Sequence, residues 1–195
     1  MTYDDWLAEC ARRISISEGV RLARYADSFG IPTVGVGYNL QRGTGPLCAI
    51  GIGPSQAQAI CDGNAQITED QALALLRNDL AASVNGAKDS VPDGLFDSMT
   101  DARRFVITDL VYNLGAGMWT SFQSTRGRIA AAQQAKNNNK PNAHDLFIAA
   151  GEALASSAYY QQTGNRAKRN VAMLVQGTWC DANGDGSDIL PQPIA

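Results

Sequence analysis

The sequence lacks several features that would assign it to common protein classes. No apolar run approaches the roughly 18 residues that a transmembrane helix needs, so we expect no stable membrane insertion. The N-terminus has no basic region followed by an apolar segment, so we expect no secretory signal. The chain contains one histidine, His144, and catalytic zinc sites usually take two or three. This argues against a zinc amidase. We expect chemistry that needs no metal or organic cofactor.

The chain also lacks a large excess of either positive or negative charge. Charged residues make up 18% of the 195 residues, and the net charge of −3 argues against a nucleic-acid-binding protein. A hydrophobic share of 45% is ordinary for a globular protein, and the length allows one domain or two small lobes. None of the four cysteines forms a CxxC motif, which argues against a zinc ribbon.

Two carboxylates and a hydroxyl occur at fixed spacing near the N-terminus, namely Glu18, Asp27 and Thr33. Glycoside hydrolysis needs two carboxyl groups. One donates a proton to the leaving oxygen, while the other attacks the sugar or activates a water molecule. A threonine hydroxyl could hold that water. The same three residues also fit a helix end, a solvated turn aspartate and a strand threonine without any catalytic role.

The next segment predicts a turn followed by a strand. Residues 28–32 contain the Gly and Pro of a turn. In residues 33–38, Thr or Gly alternates strictly with Val or Tyr, and this period of two predicts a strand. One face of that strand would carry Thr33, Gly35 and Gly37. Because two side chains are missing there, a ligand could approach the backbone, and both glycines are candidate substrate-binding residues.

This spacing resembles that of the phage-type lysozymes (endolysins) of glycoside hydrolase family 24. Residues 17–37 match the family pattern S-E-G-x-R-L-x-x-Y-x-D-x-x-G-x-x-T-x-G-x-G. Residues 163–169 read TGNRAKR and residues 177–179 read GTW, as in the family, and residues 112–115 read YNLG near the family's cleft-lining segment. These ordered matches cover most of the chain, so they favour the catalytic interpretation.

The resemblance implies a role for each residue of the first motif. Glu18 corresponds to the general acid, and Arg166 would orient it through an ion pair. Asp27 corresponds to the general base, and Thr33 would help it to position water. The family inverts the anomeric configuration, which implies a water between Asp27 and the sugar and carboxyl groups about 6.5–9.5 Å apart.

The resemblance also implies candidate substrate contacts outside the first motif. Tyr112 and Asn113 match positions that contact sugar, and Thr125 is a weaker candidate on the same grounds. An aromatic residue at the end of an apolar helix is equally well explained as a core residue. The cationic residues that could attract an anionic cell wall are Arg166, Lys168 and Arg169.

The fold implied by the resemblance is α+β and lysozyme-like, in a single domain over residues 1–195. Its parts are a small lobe at about 17–67, a connecting helix at 68–88, and a helical lobe at 89–195 that also takes residues 1–16. The small lobe would hold a three-stranded antiparallel sheet, with the third strand expected within residues 39–53.

Capping patterns and apolar periodicity predict the helices. Residues 2–5 and 68–71 are capping signatures. The predicted helices cover approximately residues 3–16, 54–61, 69–88, 97–114, 122–136, 145–157 and 166–175, and a further helical region begins in 92–98. The helix at 97–114 is the most apolar, and we expect it to be the buried core helix of the larger lobe.

The cysteines allow three disulfide connectivities. Cys48 and Cys61 flank a local loop, so we pair them, which leaves Cys10 with Cys180. The family's packing of the first helix on the C-terminal lobe would bring the second pair together. Four thiols are an equal alternative, because cytoplasmic chains are kept reduced.

Residues 181–188 match the first half of an EF-hand loop, which makes Asp181, Asn183 and Asp185 candidates for weak calcium binding. The twelfth position of such a loop is Gln192 instead of Glu, and no exit helix follows. A simple tail turn is therefore the alternative.

Taken with the resemblance, the sequence predicts a monomeric muramidase whose partner is peptidoglycan. It would hydrolyse the β-1,4 bond between N-acetylmuramic acid and N-acetylglucosamine and cause host cell lysis. The family implies accumulation in the host cytoplasm, release through a membrane pore and action on the periplasmic cell wall. Three alternatives stay open: a non-catalytic wall-glycan binding protein, a peptidoglycan amidase or peptidase, and a chitin-directed glycosidase.

Overall fold

The computed structural model describes residues 1–27 and 29–189, and it confirms the α+β class. Its helices are α1 (Tyr3–Glu18), α2 (Gly45–Ala49), α3 (Pro54–Asp62), α4 (Glu69–Asp89), α5 (Asp101–Leu114), α6 (Ala116–Thr120), α7 (Gln123–Asn137), α8 (Ala143–Ala155), α9 (Ala158–Thr163) and α10 (Asn165–Gln176). The strands are β1 (Arg21–Ala26), β2 (Pro32–Gly35) and β3 (Tyr38–Asn39). Within the described ranges they form one antiparallel sheet in the order β1-β2-β3.

The chain divides into two compact units, residues 1–81 and 82–195. The division falls inside α4, the helix that the sequence predicts as the connection between two lobes. Residues 1–16 belong to the first unit in this division, and their assignment to the helical lobe stays a prediction.

Local signals account for the start and end of α1. The backbone N–H of Asp5 donates to the hydroxyl of Thr2 at 3.2 Å, which satisfies one of the donors left open at a helix N-terminus. The helix ends at Glu18 because Gly19 adopts a φ of 80°, which favours glycine. Glu18, the predicted general acid, is therefore the last residue of α1.

The core of the first unit lies between the sheet and the helices that follow it. Val34 of β2 and Tyr38 of β3 are buried together with Leu47 of α2, Ile60 of α3 and Leu75 of α4. The capping signature at residues 68–71 is confirmed, since Thr68 and Gln71 exchange side-chain to backbone hydrogen bonds of 2.9 and 3.2 Å. This packing fixes one face of the sheet.

The second unit is helical over its described residues. As predicted, α5 is a buried core helix, with Phe105, Val106, Ile107 and Leu110 all inside. It packs against α10, while α8 packs against both α7 and α10.

Several boundaries differ from the sequence prediction. Residues 92–98 form turns instead of the start of a helix. The short helices α6 and α9 were not predicted, and the third strand begins at Tyr38, just before the predicted region 39–53. Helices of five or six residues show less than two full turns of periodicity, so the apolar pattern that reveals longer helices is missing.

Among residues 1–27 and 29–189, no helix combines the length and the apolar character that crossing a membrane requires.

Candidate functional site

The first unit places Asp27 directly after β1, in the loop that returns the chain to β2. The register pairs Tyr25 with Thr33 and Ala26 with Pro32, so the loop spans residues 27–31. The backbone N–H of Asp27 donates to the carbonyl of Ile31 at 3.0 Å and closes this loop. The position of Asp27 is thus fixed by the hairpin.

The carboxylate of Asp27 is held by the same loop. Its Oδ1 accepts hydrogen bonds from the backbone N–H groups of Phe29 and Ile31, each at 2.8 Å. Its Oδ2 accepts none from any residue that the structure describes. One oxygen therefore orients the carboxylate, while the other remains available to a water molecule or a substrate.

Thr33 is held by a hydrogen bond to the same residue, Ile31. It is the second residue of β2 and only 2% exposed. Its Oγ1 donates to the carbonyl of Ile31 at 2.9 Å. Because the hydroxyl hydrogen is used in this way, the lone pairs of Oγ1 remain free to accept a hydrogen from another group. Asp27 and Thr33 are therefore both hydrogen-bonded to the backbone of the same residue, Ile31.

Glu18 occupies the C-terminal end of α1, and its side chain is exposed. The chain from Glu18 to Asp27 consists of Gly19, Val20 and strand β1. Along the chain, Glu18 therefore lies at the end of α1, Asp27 in the hairpin loop after β1, and Thr33 in β2. The carboxyl separation expected for an inverting enzyme stays a prediction.

The two glycines that follow Thr33 do not lie on one strand face with it. Residues 33–38 are not one strand, because β2 ends at Gly35 and the chain reverses through Val36 and Gly37 to β3. Gly35 and Gly37 have φ angles of 67° and 77°, which reverse the chain and favour glycine. A Cβ on Gly35 would lie 3.3 Å from Ala72, so this residue faces the core of the unit. The prediction that Thr33, Gly35 and Gly37 share one strand face is wrong. Substrate binding by either glycine stays a prediction.

A surface depression of 220 Å³ lies beside the Asp27 loop. It is lined by Arg24, Tyr25, Ala26, Gly30, Pro32 and Gly63. Arg24 is fixed there by donating to the carbonyl of Cys61 at 2.9 Å, and it brings a positive charge next to the loop.

The second unit holds Arg166 in a buried ion pair that the sequence analysis did not predict. Its Nη2 and Nε donate to Asp109 at 2.7 and 3.0 Å, and the two side chains are 9% and 2% exposed. Asn170 donates to the second oxygen of Asp109 at 2.7 Å and to the hydroxyl of Tyr159 at 2.8 Å. Burial, followed by the nearby Asp109 carboxylate, raises the pKa of Tyr159. The predicted ion pair between Arg166 and Glu18 joins the two units and stays a prediction.

The sequence contained one signal for this network. Asp109 is the acidic residue inside the otherwise apolar stretch from Phe105 to Val111 of α5. A buried carboxylate needs a partner, because an isolated buried charge is strongly destabilising. The sequence does not say which cation supplies it, since Arg166 is 57 residues away.

The predicted substrate contacts of the second unit have different exposures. Asn113 is exposed and Tyr112 is half-buried at the end of α5, so both have surface that a sugar can reach. Thr125 is 4% exposed and lies inside the unit, and its contact with substrate stays a prediction.

The acidic tail forms turns. Asp181 and Asp185 accept hydrogen bonds from the backbone N–H groups of Asn183 and Ser187, both at 3.1 Å. Hydrogen bonds from the side chain and the backbone N–H of Ser187 lower the pKa of Asp185. Within the described part of the chain, no group of three or more His, Cys, Asp or Glu side chains is arranged to hold a metal ion. The predicted twelfth calcium position, Gln192, lies outside the described residues.

The structure has all four cysteines as thiols, which is the alternative to the predicted pairs Cys48–Cys61 and Cys10–Cys180. Cys10 and Cys180 are buried, while Cys48 and Cys61 are half-buried. Burial raises the pKa of Cys61, and the neighbouring Asp62 raises it further. A less acidic thiol forms less thiolate, the species that attacks a disulfide, so Cys61 is not activated for oxidation.

These features define the class of the protein. The sequence profile of the phage lysozyme family matches residues 15–151, which include Glu18, Asp27 and Thr33. The chain belongs to this family. Phage lysozymes are glycoside hydrolases of the muramidase type that degrade peptidoglycan, so the resemblance found in the sequence is confirmed.

A curated relative extends the match along the chain. The pre-baseplate central spike protein Gp5 of Enterobacteria phage T4 is 25% identical over 176 residues, which are 88% of this chain. The chain spans 28% of the length of that protein.

Proposed function

We propose that this chain hydrolyses the β-1,4 bond between N-acetylmuramic acid and N-acetylglucosamine in bacterial peptidoglycan, with inversion at the anomeric carbon. The observation that carries the proposal is the arrangement of Asp27 and Thr33 around Ile31. The Asp27 carboxylate and the Thr33 hydroxyl each form a hydrogen bond with the backbone of Ile31, and Oδ2 of Asp27 and Oγ1 of Thr33 keep lone pairs for a water molecule. Membership of the phage lysozyme family supports the choice of substrate.

In this mechanism a water molecule lies between Asp27 and the sugar. It donates one hydrogen to Oδ2 of Asp27 and the other to Oγ1 of Thr33. Asp27 takes the proton as the water oxygen attacks the anomeric carbon, so no covalent glycosyl-enzyme forms. The backbone donors at Phe29 and Ile31 keep the carboxylate from rotating.

Glu18 supplies the second half of the reaction as the general acid. It donates its proton to the glycosidic oxygen as the bond to the leaving sugar breaks. The family resemblance implies that Arg166 orients Glu18, and within the second unit the bidentate contact with Asp109 fixes the position of the Arg166 guanidinium group. Arg166 is thus a positioning residue.

The biological setting follows the phage-type lysozymes. The substrate is the cell wall of a bacterial host, and its hydrolysis causes lysis. The protein accumulates in the host cytoplasm, passes through a membrane pore and acts as a monomer in the periplasm. Tyr112 and Asn113 contact the glycan, since both have accessible surface.

Replacement of the general acid tests the assignment. We expect Glu18→Gln to lose at least about 100-fold of the rate of reducing-end release from purified peptidoglycan, because general acid catalysis contributes about 10²–10⁴-fold. Wild type and variant are compared for clearing of the wall suspension and for new reducing ends. Circular dichroism confirms that the variant is folded.

Product chemistry separates the alternatives. New free amines instead of reducing ends would identify an amidase or peptidase. Binding to the sacculus without clearing, in wild type and variant alike, would identify a wall-glycan binding protein. Faster release of reducing ends from chitin than from peptidoglycan would favour the chitin-directed glycosidase.

Thr33 allows a separate test of the inverting mechanism. In Thr33→Glu a carboxylate replaces the hydroxyl beside the attacking water, and it can attack the anomeric carbon directly. We expect a covalent glycosyl-enzyme that accumulates, which mass spectrometry of the intact protein detects as added sugar mass. A Thr33→Gln variant has the same size without the nucleophile and serves as the control. Unmodified Thr33→Glu protein after turnover would contradict the proposed position of the water.

A further inference from the structure

A cavity of 340 Å³ lies in the second unit, and none of the residues with a proposed catalytic role lines it. Its walls are formed by Arg103, Lys136, Pro141, Ala143, His144 and Phe147. Two of these residues carry a positive charge, a third can acquire one, and none is acidic. We call it the Arg103 cavity.

Arg103 forms the buried end of this cavity and is only 4% exposed. Its Nε and Nη2 donate to the carbonyls of Leu174 and Val175, both at 2.9 Å, near the C-terminus of α10. Its Cζ lies 3.4 Å from the centre of the Phe147 ring. The guanidinium group is therefore held flat against an aromatic face in one orientation.

The hydrogen-bonding capacity of Arg103 is only partly used. Arginine has five N–H donors, and two of them are engaged in these bonds. The others, including both on Nη1, donate to no residue that the structure describes. Among the same residues no carboxylate pairs with this guanidinium group. These donors are therefore available to a polar ligand or to water in the cavity.

Lys136 and His144 extend the positive region toward the surface, and both are exposed. Burial lowers the pKa of Lys136, and the charge of Arg103 lowers it further, so the two cations are close enough to repel each other. Burial also lowers the pKa of Arg103 to about 10. No described acidic residue forms an ion pair with Lys136 or His144. An anion bound between these groups would relieve the repulsion.

We propose that the Arg103 cavity binds a phosphate monoester. Such a group carries about −1.5 to −2 charges at neutral pH, which matches the two permanent cations better than one carboxylate does. The guanidinium fork fits two phosphate oxygens, and Lys136 donates to a third. The carbon substituent of the ester packs against Pro141 and Ala143. A phosphorylated sugar and the headgroup of phosphatidic acid share this chemistry.

Calorimetric titration tests the site at constant ionic strength. The probe is N-acetylglucosamine 6-phosphate, with N-acetylglucosamine as the ligand that lacks the phosphate. We expect saturable binding of the phosphate ester and no binding of N-acetylglucosamine. In Lys136→Gln the affinity for the ester should be at least about tenfold weaker, because about one charge-assisted contact is lost. Lys140→Gln, which removes an exposed lysine that does not line the cavity, should bind like wild type.

Arg103 needs a variant that preserves folding. Arg103→Lys keeps the positive charge but loses the planar fork, and we expect weaker binding of the ester with a cooperative thermal transition retained. Should this variant unfold, His144→Gln and Lys136→Gln at the rim still test the proposal. Ester binding by wild type that neither rim variant weakens would overturn it.

Two further measurements distinguish the sources of the phosphate. Vesicles of phosphatidylcholine with phosphatidic acid are sedimented with the protein, and vesicles of phosphatidylcholine alone are the control. Retention that requires both phosphatidic acid and Lys136 would identify a lipid headgroup as the ligand, whereas binding of the sugar phosphate alone would identify a soluble ester. Binding of neither probe overturns the proposal. These readouts do not depend on glycan hydrolysis, so they are independent of the proposed function.

Discussion

At the scale of single residues, Asp109 explains how a cation can be held inside the second unit. Its two oxygens accept from Arg166 and Asn170, and both partners are buried. A buried ion pair adds little stability compared with a well-packed apolar pair. Removing one partner is costly, however, because the other charge is then left without compensation. The network therefore specifies the position of Arg166 more than it stabilises the fold.

We expect Asp109→Asn to lower the free energy of unfolding by about 3 kcal/mol, since the Arg166 charge loses its counterion in a buried site. Chemical denaturation of wild type and variant measures the difference. Asp79→Asn is the matched control, because Asp79 pairs with Arg42 at 2.6 Å in a partly exposed pair, and such pairs contribute about 0–1 kcal/mol. Equal costs in the two variants would contradict the role given to burial.

At the scale of elements, two glycines in helices show how context decides the effect of one substitution. Gly151 lies in α8, where a Cβ would approach Cγ2 of Val175 in α10 to 2.7 Å. Gly127 lies in α7, where a Cβ would meet nothing within 4 Å. The intrinsic helix propensity of alanine over glycine is the same for both, so only the packing differs.

We expect Gly127→Ala to raise the free energy of unfolding by about 0.5–1 kcal/mol, because alanine restricts the unfolded chain and favours the helix. Gly151→Ala should lower it by about 1–3 kcal/mol, since the methyl group overpacks the contact between α8 and α10. Thermal and chemical denaturation of the two variants give the comparison. A gain in stability for both would mean that the two helices can separate without cost.

The hairpin of residues 32–39 shows why a strand pattern can mislead. Val34, Val36 and Tyr38 alternate with small residues as in one strand, yet the chain reverses between Gly35 and Gly37. Both glycines adopt positive φ, which their sequence pattern allows but does not demand. The pairing of β2 with β3 decides between the two conformations.

At the scale of the whole molecule, the pH dependence of stability reflects carboxylates that are paired only in the folded state. Glu9 accepts hydrogen bonds from Arg12 at 2.7 and 2.8 Å and from Arg13 at 2.6 Å. The hydrogen bond from Arg12, aided by Arg13, lowers the pKa of Glu9 despite its partial burial. The resulting stabilisation is complete above the unfolded-state pKa of about 4.3, and it is lost as the pH falls through the lower folded-state pKa.

We expect wild type to lose stability more steeply than Glu9→Gln between about pH 5 and pH 3. At neutral pH the variant should be less stable by no more than about 1 kcal/mol, because the pair is partly solvated. Thermal melts across this pH range measure both quantities. Parallel curves for the two proteins would show that Glu9 does not contribute to acid unfolding.

Much of the fold was predictable from local signals. Thr2 and Thr68 begin helices where the capping patterns place them, and the apolar stretch around Phe105 forms a core helix. The candidate catalytic residues could also be read from the sequence, and Glu18, Asp27 and Thr33 all lie within the residues that the family profile matches. The short helices α6 and α9 and the turns of residues 92–98 were not predicted, because their residues carry no periodic pattern.

The family, the helix caps and the candidate acid, base and hydroxyl can be read from the sequence, because each of these depends on residues close together along the chain. The partner of Asp109, the chain reversal after Gly35 and the surroundings of Arg103 are visible only in the folded protein. Arg166 is 57 residues from Asp109, and Leu174 is 71 residues from Arg103. Contacts over such separations depend on how the helices of the second unit pack, which short-range sequence patterns do not encode.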